Sequence, residues 1–132
     1  MAYNILLIDD STTTRNVIAK TLKLAEIPIN TLYEASNGLE GLEILKNNWI
    51  DLVFTDINMP EMNGIEMVEK MQEDGLLATL PVVIISTEGS AKRIEYLMSK
   101  GISGYIRKPF TPEKICDLVN QIMKGNEDES GL

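Results

Sequence analysis

Four short apolar runs, separated by stretches with helical periodicity, constrain the fold of this chain more than any other sequence feature. The runs occupy residues 5–8, 52–54, 82–85 and 104–106. Apolar runs of this length, alternating with helices, are typical of parallel strands that are buried on both faces. The sequence therefore predicts an α/β protein with helices packed on both sides of a parallel sheet.

Each apolar run ends at side chains that can carry chemistry. The residues that follow the runs are, in chain order, Asp9 and Asp10, Asp56, Ser86, and Arg107 and Lys108. The carboxyl ends of parallel strands lie along one edge of a sheet, and ligands of open α/β sheets bind at that edge. We therefore expect three carboxylates, a hydroxyl and an ammonium group to converge on one crevice.

Strand and helix signals alternate along the chain, which predicts five strands and five helices in a three-layer sandwich. The predicted strands cover residues 4–8, 30–34, 51–55, 81–86 and 104–107. A length of 132 residues is that of one domain. We assign residues 1–124 to this domain and expect the acidic segment 125–132 to be a frayed, disordered tail.

The composition excludes several classes of function. The chain contains no histidine, which excludes histidine-based zinc sites and triads and means that it cannot be the histidine member of a phosphotransfer system. Its single cysteine, Cys116, excludes an internal disulfide and fits a reducing compartment. The net charge of −8, with basic residues in small separate groups, disfavours nucleic-acid binding.

The distribution of apolar residues predicts a cytoplasmic chain without membrane insertion. The N-terminus has no positively charged region before its apolar run, unlike a secretory signal. No stretch approaches the roughly 20 apolar residues that a membrane-spanning helix needs.

The predicted cluster of carboxylates needs a cation. Two unit charges about 4 Å apart repel by about 4 kcal/mol at an effective dielectric of about 20. Oxygen ligands without histidine or paired cysteines favour Mg²⁺, and Lys108 adds a second positive group. Asp56 stands alone after a central strand and is the best candidate nucleophile for phosphoryl transfer, whereas the adjacent Asp9 and Asp10 suit metal binding. Ser86 is placed to donate a hydrogen bond to the transferred group.

The same residues lie in motifs that resemble those of two-component response-regulator receiver domains. The matching segments are ILLIDDSTTTR, LVFTDINMPEMNG, LPVVIISTEGS and GYIRKPFTPEKI. They extend from about residue 4 to residue 123, and the resemblance is greatest to the single-domain chemotaxis regulators. It implies a flavodoxin-like (βα)5 fold with strand order 2-1-3-4-5, an order for which these regulators are themselves a standard example.

The resemblance also implies a role for each residue of the crevice. Asp56 is the implied phosphoacceptor, and Lys108 is implied to bind the phosphoryl group. The implied ligands of Mg²⁺ are Asp10, Asp56 and the backbone carbonyl of Asn58, with Asp9 acting through a water molecule.

Residues near the ends of the last two strands resemble the switch of the family. Ser86 matches the switch hydroxyl, and Tyr105 matches the aromatic switch whose ring turns inward on activation. Asn58 and Glu88 match positions that govern dephosphorylation. The peptide bond between Lys108 and Pro109 is implied to be cis.

The resemblance further implies that a histidine kinase donates the phosphoryl group. An output protein, such as a flagellar motor switch component, would bind a surface that includes Ile94, Tyr105 and Phe110, and a phosphatase is a further implied partner. We expect a phosphoacceptor with slow intrinsic autodephosphorylation, not a multi-turnover enzyme, that is a monomer or a weak dimer.

Other functions stay open on the sequence. Receiver chemistry is also compatible with a phosphate sink, or with a receiver cut from a longer transcriptional regulator. The hydroxyl-rich segment 11–14 resembles the phosphate cradle of a flavodoxin-like cofactor binder, although Asp9 and Asp10 would repel an FMN phosphate. A phosphatase with an aspartyl nucleophile would need a second carboxylate as general acid, and Asn58 occupies the nearby position.

Overall fold

The fold consists of parallel strands that alternate with helices along the chain. The computed structural model describes residues 2–87 and 90–130, and for residues 124–130 it describes the backbone alone. The strands are β1 (Tyr3–Ile8), β2 (Ile29–Ala35), β3 (Leu52–Thr55), β4 (Val82–Ser86) and β5 (Gly104–Arg107). The helices are α1 (Thr12–Leu24), α2 (Gly38–Asn47), α3 (Gly64–Glu73), α4 (Ala91–Lys100) and α5 (Pro112–Ser130), with a short 3₁₀ turn at Leu76–Ala78.

The described strands form one parallel sheet in the order β2-β1-β3-β4-β5. This order confirms the flavodoxin-like (βα)5 three-layer sandwich that the resemblance implies. Ile8 at the end of β1 pairs with Thr55 at the end of β3, and Thr55 pairs with Ile84 near the end of β4. The strand ends are therefore level with one another, and the residues that follow them lie at one edge of the sheet.

Both faces of the sheet are buried, as the apolar runs predict. Leu6 and Ile8 of β1 pack in a cluster with residues of α2, α3 and α4, whereas Ile5 and Leu7 pack in a second cluster with residues of α1 and α5. Each of these four side chains is at most 1 % exposed. Burial of one such side chain stabilises the fold by about 1.5–3 kcal/mol. The buried sheet therefore holds the strand ends, and the loops that follow them, in place.

Polar side chains cap the helices that leave the carboxyl edge of the sheet. Ser11 caps α1, since its hydroxyl accepts a hydrogen bond from the Thr14 amide at 3.1 Å. Asn63 caps α3 in a reciprocal capping box with Glu66. Such caps contribute about 1 kcal/mol each. Because Ser11 caps α1, the Asp10 carboxylate is not needed for that purpose.

Two element boundaries differ notably from the sequence prediction. β2 extends beyond the predicted strand 30–34, because Ile29–Ala35 pairs along the length of β1. Helix α5 continues to Ser130, whereas the sequence predicts a frayed tail from residue 125. Residues 131 and 132 lie outside the described residues, and the domain boundary at residue 124 stays a prediction. Within residues 2–87 and 90–130, no helix has both the length and the apolar character needed to cross a membrane.

Candidate functional site

Three carboxylates lie together at the carboxyl edge of the sheet. Asp9 and Asp10 directly follow β1, and Asp56 directly follows β3. The Asp56 amide donates a hydrogen bond to the Ile8 carbonyl at 3.0 Å, which holds the two strand ends side by side. One oxygen from each carboxylate lies within 4.8 Å of the others. The structure thus brings together the three acidic residues that the sequence singles out.

The three carboxylates differ in their access to solvent. Asp9 is 2 % exposed, the Asp56 side chain is 15 % exposed, and Asp10 is exposed. Both oxygens of Asp9 accept hydrogen bonds, one from the Ser11 amide at 2.9 Å and one from Lys108 at 3.0 Å. Asp10 and Asp56 are therefore the carboxylates that an incoming group can reach.

Lys108 is the cation of the site. Its Nζ lies 3.0 Å from an oxygen of Asp9 and 3.5 Å from an oxygen of Asp56. Its backbone amide donates to the Ser86 carbonyl at 2.9 Å, which ties the residue after β5 to the end of β4. The peptide bond between Lys108 and Pro109 is cis, as the resemblance implies. The ammonium group thus bridges two carboxylates that would otherwise repel each other.

The loop that follows Asp56 folds back against this residue. Asp56 Oδ1 accepts a hydrogen bond from the Ile57 amide at 2.7 Å, and the Gly64 amide donates to the Ile57 carbonyl at 2.8 Å. A Cβ atom on Gly64 would collide with the backbone carbonyl oxygen of Asp56, so only glycine permits this approach. Sequence reasoning missed this role of Gly64, because an Asn-Gly pair signals a turn but not the contact that the turn makes.

The predicted switch and hydrolysis residues lie on the neighbouring strands and loop. Ser86, the last residue of β4, is fully buried. Tyr105 in β5 is half-buried and pairs with Ile84, two residues before Ser86. Asn58 is exposed, two residues after the candidate nucleophile. Glu88 lies outside the described residues. The structure places the first three near the carboxyl edge, and their roles stay predictions.

The three residues predicted as a partner surface do not share one side of the sheet. Ile94 is half-buried in α4, and Tyr105 packs with the cluster beneath α2, α3 and α4. Phe110 packs with the cluster beneath α1 and α5. It lines a groove of about 250 Å³ between α1 and the loop after β5, beside Lys108. Phe110 is thus placed toward the α1 side, and the extent of the partner surface stays a prediction.

The ligand set of the carboxylate cluster fits a hard divalent cation. Three carboxylates and one ammonium group carry a formal charge of −2, which one divalent ion would balance. The candidate side-chain ligands are all oxygens, which Mg²⁺ prefers, and Mg²⁺ sites commonly combine one or two carboxylates with phosphate oxygens. The arrangement therefore suits phosphoryl transfer, in which catalysis rests on positioning and on neutralising charge.

Comparisons with known proteins identify the family. Residues 5–120 match the profile of the response regulator receiver domain. The chain is 33 % identical over 120 residues to a chemotaxis protein CheY homolog of Campylobacter jejuni, and the alignment covers 90 % of this chain and 91 % of that protein. The family match spans most of the chain and includes all of the acidic residues of the site.

Solved structures share the fold and most of the chain length. A CheY-like receiver domain protein from Methanospirillum hungatei has a TM-score of 0.84 at 22 % identity, covering 98 % of this chain and 99 % of that one, which shows the fold alone. The CheX-CheY-BeF3-Mg complex of Borrelia burgdorferi gives a TM-score of 0.82 at 28 % identity, covering 92 % and 89 %. Together with the family match and the curated relative, these findings show that the chain belongs to the receiver domains of two-component response regulators.

Proposed function

We propose that this chain is a response regulator of chemotaxis signalling that accepts a phosphoryl group on Asp56. Receiver domains of this kind are phosphoacceptors and not classical multi-turnover enzymes, and the Campylobacter relative is named as a chemotaxis protein. One observation carries the proposal. The partly exposed Asp56 carboxylate lies 3.5 Å from the Lys108 ammonium group and within 4.8 Å of two further carboxylates that suit a divalent cation.

A phosphohistidine donor must lie outside this sequence, because its 132 residues contain no histidine. In the proposed transfer, a carboxylate oxygen of Asp56 attacks the phosphorus of a phosphohistidine in a histidine kinase. The new O–P bond makes an acyl phosphate while the P–N bond breaks, and the imidazole leaves with the electron pair and takes up a proton from solvent. Lys108 supplies positive charge beside the attacking carboxylate, where the charge of the transferred group develops.

Mg²⁺ is the proposed cofactor, as receiver domains generally use it. Asp10, Asp56 and the backbone carbonyl of Asn58 are the proposed ligands. When bound, Mg²⁺ would neutralise charge on the oxygens of the phosphoryl group. Asp9 is proposed to act through a water molecule, because it is buried and both of its oxygens already accept hydrogen bonds from the chain.

The groove between α1 and the loop after β5 supports a docking position for the kinase. It lies beside Lys108 and is lined in part by Pro109 and Phe110. Val17, which also lines it, is 55 % exposed on α1. A groove beside Lys108 that combines apolar side chains with three threonines would hold the donor domain while its phosphohistidine reaches the Asp56 carboxylate.

Phosphorylation is proposed to act through Ser86 and Tyr105. An acyl phosphate on Asp56 adds charge and acceptor oxygens at the edge where Ser86 ends β4, and the Ser86 hydroxyl is a hydrogen-bond donor. The Lys108 amide bonds to the Ser86 carbonyl, so a displacement of Ser86 also moves the end of β5. The surface of α4, β5 and α5, which includes Tyr105, would then change and be recognised by an output partner.

The proposed output partner is a component of the flagellar motor switch, and a phosphatase is a further proposed partner. The Borrelia complex combines a CheY with CheX, beryllofluoride and Mg²⁺, which supports partner binding by related receivers. Asn58 and Glu88 are proposed to tune the slow attack of water on the acyl phosphate. That attack releases inorganic phosphate and restores the Asp56 carboxylate.

Labelling with acetyl phosphate tests the proposed chemistry. In the presence of Mg²⁺, the wild-type chain is expected to gain the mass of a single phosphoryl group, located on Asp56 by tandem mass spectrometry. Chelation with EDTA is expected to prevent the labelling. A wild-type chain that takes up no phosphoryl group, or that takes it up on another residue, would contradict the proposal.

Partner capture with and without beryllofluoride, a mimic of the phosphoryl group, separates the proposed function from its alternatives. A motor switch component captured only with beryllofluoride supports a chemotaxis output. A phosphate sink would be labelled but would capture no such partner, and a transcriptional regulator fragment would not bind a motor component. Size-exclusion chromatography of the same samples tests the predicted monomer or weak dimer.

A further inference from the structure

The backbone carbonyl of Asp9 is held by a side chain that the proposed reaction does not use. Arg15 Nη1 donates a hydrogen bond to this oxygen at 2.5 Å. Arg15 Nη2 donates to the Thr12 hydroxyl at 3.3 Å, and Arg15 Nε donates to Glu34 Oε1 at 3.0 Å. The Arg15 side chain is only 15 % exposed. One guanidinium group therefore joins α1, the residue after β1, and β2.

These contacts set the orientation of the guanidinium group. Glu34 is fixed in β2, where it pairs with Leu7 of β1. Arg15 and Thr12 both lie in the first turn of α1. A guanidinium group presents its donors in a rigid plane, so acceptors on several parts of the chain leave it little freedom to rotate. The Asp9 carbonyl thus faces a donor in a set position.

The Asp9 carbonyl belongs to the peptide group that joins Asp9 to Asp10. Because peptide groups are planar, a hydrogen bond to this oxygen restrains ψ of Asp9 and φ of Asp10, the dihedral angles that aim the two side chains. Arg15 makes this contact through the backbone and does not occupy the carboxylate oxygens of either residue. Lys108, in contrast, binds the carboxylates of Asp9 and Asp56 directly.

We propose that Arg15 is a positioning residue that aims Asp9 and Asp10 at the divalent cation of the phosphorylation site. The inference rests on the proposed function, because it concerns the Mg²⁺ site of that reaction. The sign of the change in Mg²⁺ affinity when Arg15 is removed distinguishes a positioning role from a simple charge effect. Removal of a cation near an acidic site strengthens Mg²⁺ binding through electrostatics alone, whereas loss of a group that orients metal ligands weakens it.

Calorimetric titration of the metal-free full chain with Mg²⁺ tests the proposal. Arg15→Gln is expected to weaken Mg²⁺ binding about tenfold, at the lower end of the range for groups that orient metal ligands. Arg15→Lys keeps the charge but loses the planar fork, and we expect binding about threefold weaker. Lys20→Gln removes the same charge from an exposed position of α1 and is expected to bind Mg²⁺ as the wild type does.

Hydrogen exchange in the metal-free chain supplies a readout that does not depend on Mg²⁺. The Ser11 amide donates to Asp9 Oδ1 at 2.9 Å, so its exchange rate reports the orientation of that carboxylate. We expect the Ser11 amide to exchange faster in Arg15→Gln than in Lys20→Gln. Thermal unfolding of both variants shows whether the difference is local or reflects a loss of global stability.

The outcomes separate the positioning role from the proposed function. Mg²⁺ binding by Arg15→Gln that equals or exceeds that of the wild type, while the wild type is labelled on Asp56, overturns the positioning role alone. A wild-type chain that neither binds Mg²⁺ nor takes up a phosphoryl group overturns the proposed function. If Arg15→Gln does not fold, the Mg²⁺ affinity of Arg15→Lys is the test. A Mg²⁺ affinity of Arg15→Lys equal to that of the wild type overturns the positioning role of Arg15.

Discussion

The two ends of β3 carry the same residue type in opposite circumstances. Asp51 precedes the strand, and Asp56 follows it. The two oxygens of Asp51 accept hydrogen bonds from the Asn4 amide at 2.8 Å and from the Trp49 indole at 3.0 Å. The Asp51 amide in turn donates to the Asn4 carbonyl at 2.8 Å. Neutral donors thus satisfy both carboxylate oxygens of Asp51, and its hydrogen bonds with Asn4 hold the start of β3 beside β1.

The Asp56 end differs because other charges share its space. The Lys108 ammonium group lies 3.5 Å from this carboxylate, and two further carboxylates lie within 4.8 Å. In the part of the chain that the structure describes, no group of three or more acidic side chains lies as close together at the Asp51 end. A carboxylate at a strand end is therefore structural where neutral donors satisfy it, and becomes a candidate reactive group where like charges converge on it.

Replacement of each aspartate by asparagine is expected to give the largest difference in labelling between the two ends of β3. Asp56→Asn is expected to abolish labelling by acetyl phosphate, because an amide cannot form the acyl phosphate. Asp51→Asn should keep wild-type labelling and lower the free energy of unfolding by about 1–3 kcal/mol, because a charged acceptor of two hydrogen bonds is lost. Mass spectrometry measures the labelling, and urea titration measures the stability. Persistent labelling of Asp56→Asn would show that the phosphoacceptor is another residue.

Removal of the ammonium group tests what distinguishes the Asp56 end. Lys108→Met is expected to slow labelling at saturating Mg²⁺ about 100-fold, because preorganised positive charge beside a transferred group is worth this much in comparable sites. Arg107→Met changes the exposed neighbouring cation and should keep the wild-type rate. The rates are followed by quenched samples and mass spectrometry. Equal rates in the two variants would show that the contact with Asp56 does not assist the transfer.

A methyl group on Gly64 tests how far reactivity depends on the backbone position of Asp56. The added Cβ atom collides with the Asp56 carbonyl oxygen, so we expect Gly64→Ala to lower the free energy of unfolding by about 1–3 kcal/mol and to slow labelling. Gly75 is the matched control, because a Cβ atom there meets no atom within 4 Å although its φ is +76°. Gly75→Ala should cost about 1–2 kcal/mol and leave labelling unchanged. Normal labelling of Gly64→Ala would contradict the dependence.

The smallest expected effect is at Glu40. Like Asp51 and unlike Asp56, this carboxylate accepts hydrogen bonds from neutral donors. Its oxygens accept hydrogen bonds from the Ser36 amide and the Ser36 hydroxyl, both at 2.9 Å, and these bonds lower the pKa of Glu40. A folded-state pKa below the ordinary value of about 4.3 contributes stability above that pH, and the contribution is lost as pH falls through the lowered pKa. The Ser36 amide bond lowers the pKa more than the hydroxyl bond does, and Ser36→Ala removes only the hydroxyl, so the pKa of Glu40 is expected to rise part of the way toward its usual value. An NMR titration measures the pKa, and an unchanged value would contradict this assignment.

The strands and the acidic residues after them were predictable because both depend on local pattern. The position and the contacts of Asp51, by contrast, were not predictable from local pattern. The sequence places it in the predicted strand 51–55, whereas β3 begins at Leu52 and Asp51 lies in the bend just before it. Its partner Asn4 is separated from it by 47 positions in the chain, so no local pattern identifies the pair.

Arg15 and Gly64 show why part of the site was beyond sequence reasoning. Arg15 ends the segment ILLIDDSTTTR, but its contact with Glu34 spans 19 positions and is not visible in that segment. Gly64 ends the segment LVFTDINMPEMNG, where it signals a turn before a helix. Arg15 binds the backbone oxygen of Asp9, and Gly64 lies so near the backbone oxygen of Asp56 that a Cβ atom would collide with it. The motifs show that the two residues resemble the family pattern, but not which atoms they contact.

Local sequence pattern is enough to predict that short buried strands alternate with helices and that chemistry-bearing residues follow those strands. The composition adds that no residue of this sequence can be the phosphohistidine donor. Which aspartates come together depends on how the strands pair in the folded chain. The parallel register that sets Ile8 opposite Thr55 brings Asp9 and Asp10 beside Asp56, while Asp51 finds neutral donors at the other end of the same strand. Electrostatic repulsion depends on distance in space and not on separation along the chain. The concentration of negative charge that favours a bound cation therefore exists only once the sheet has formed.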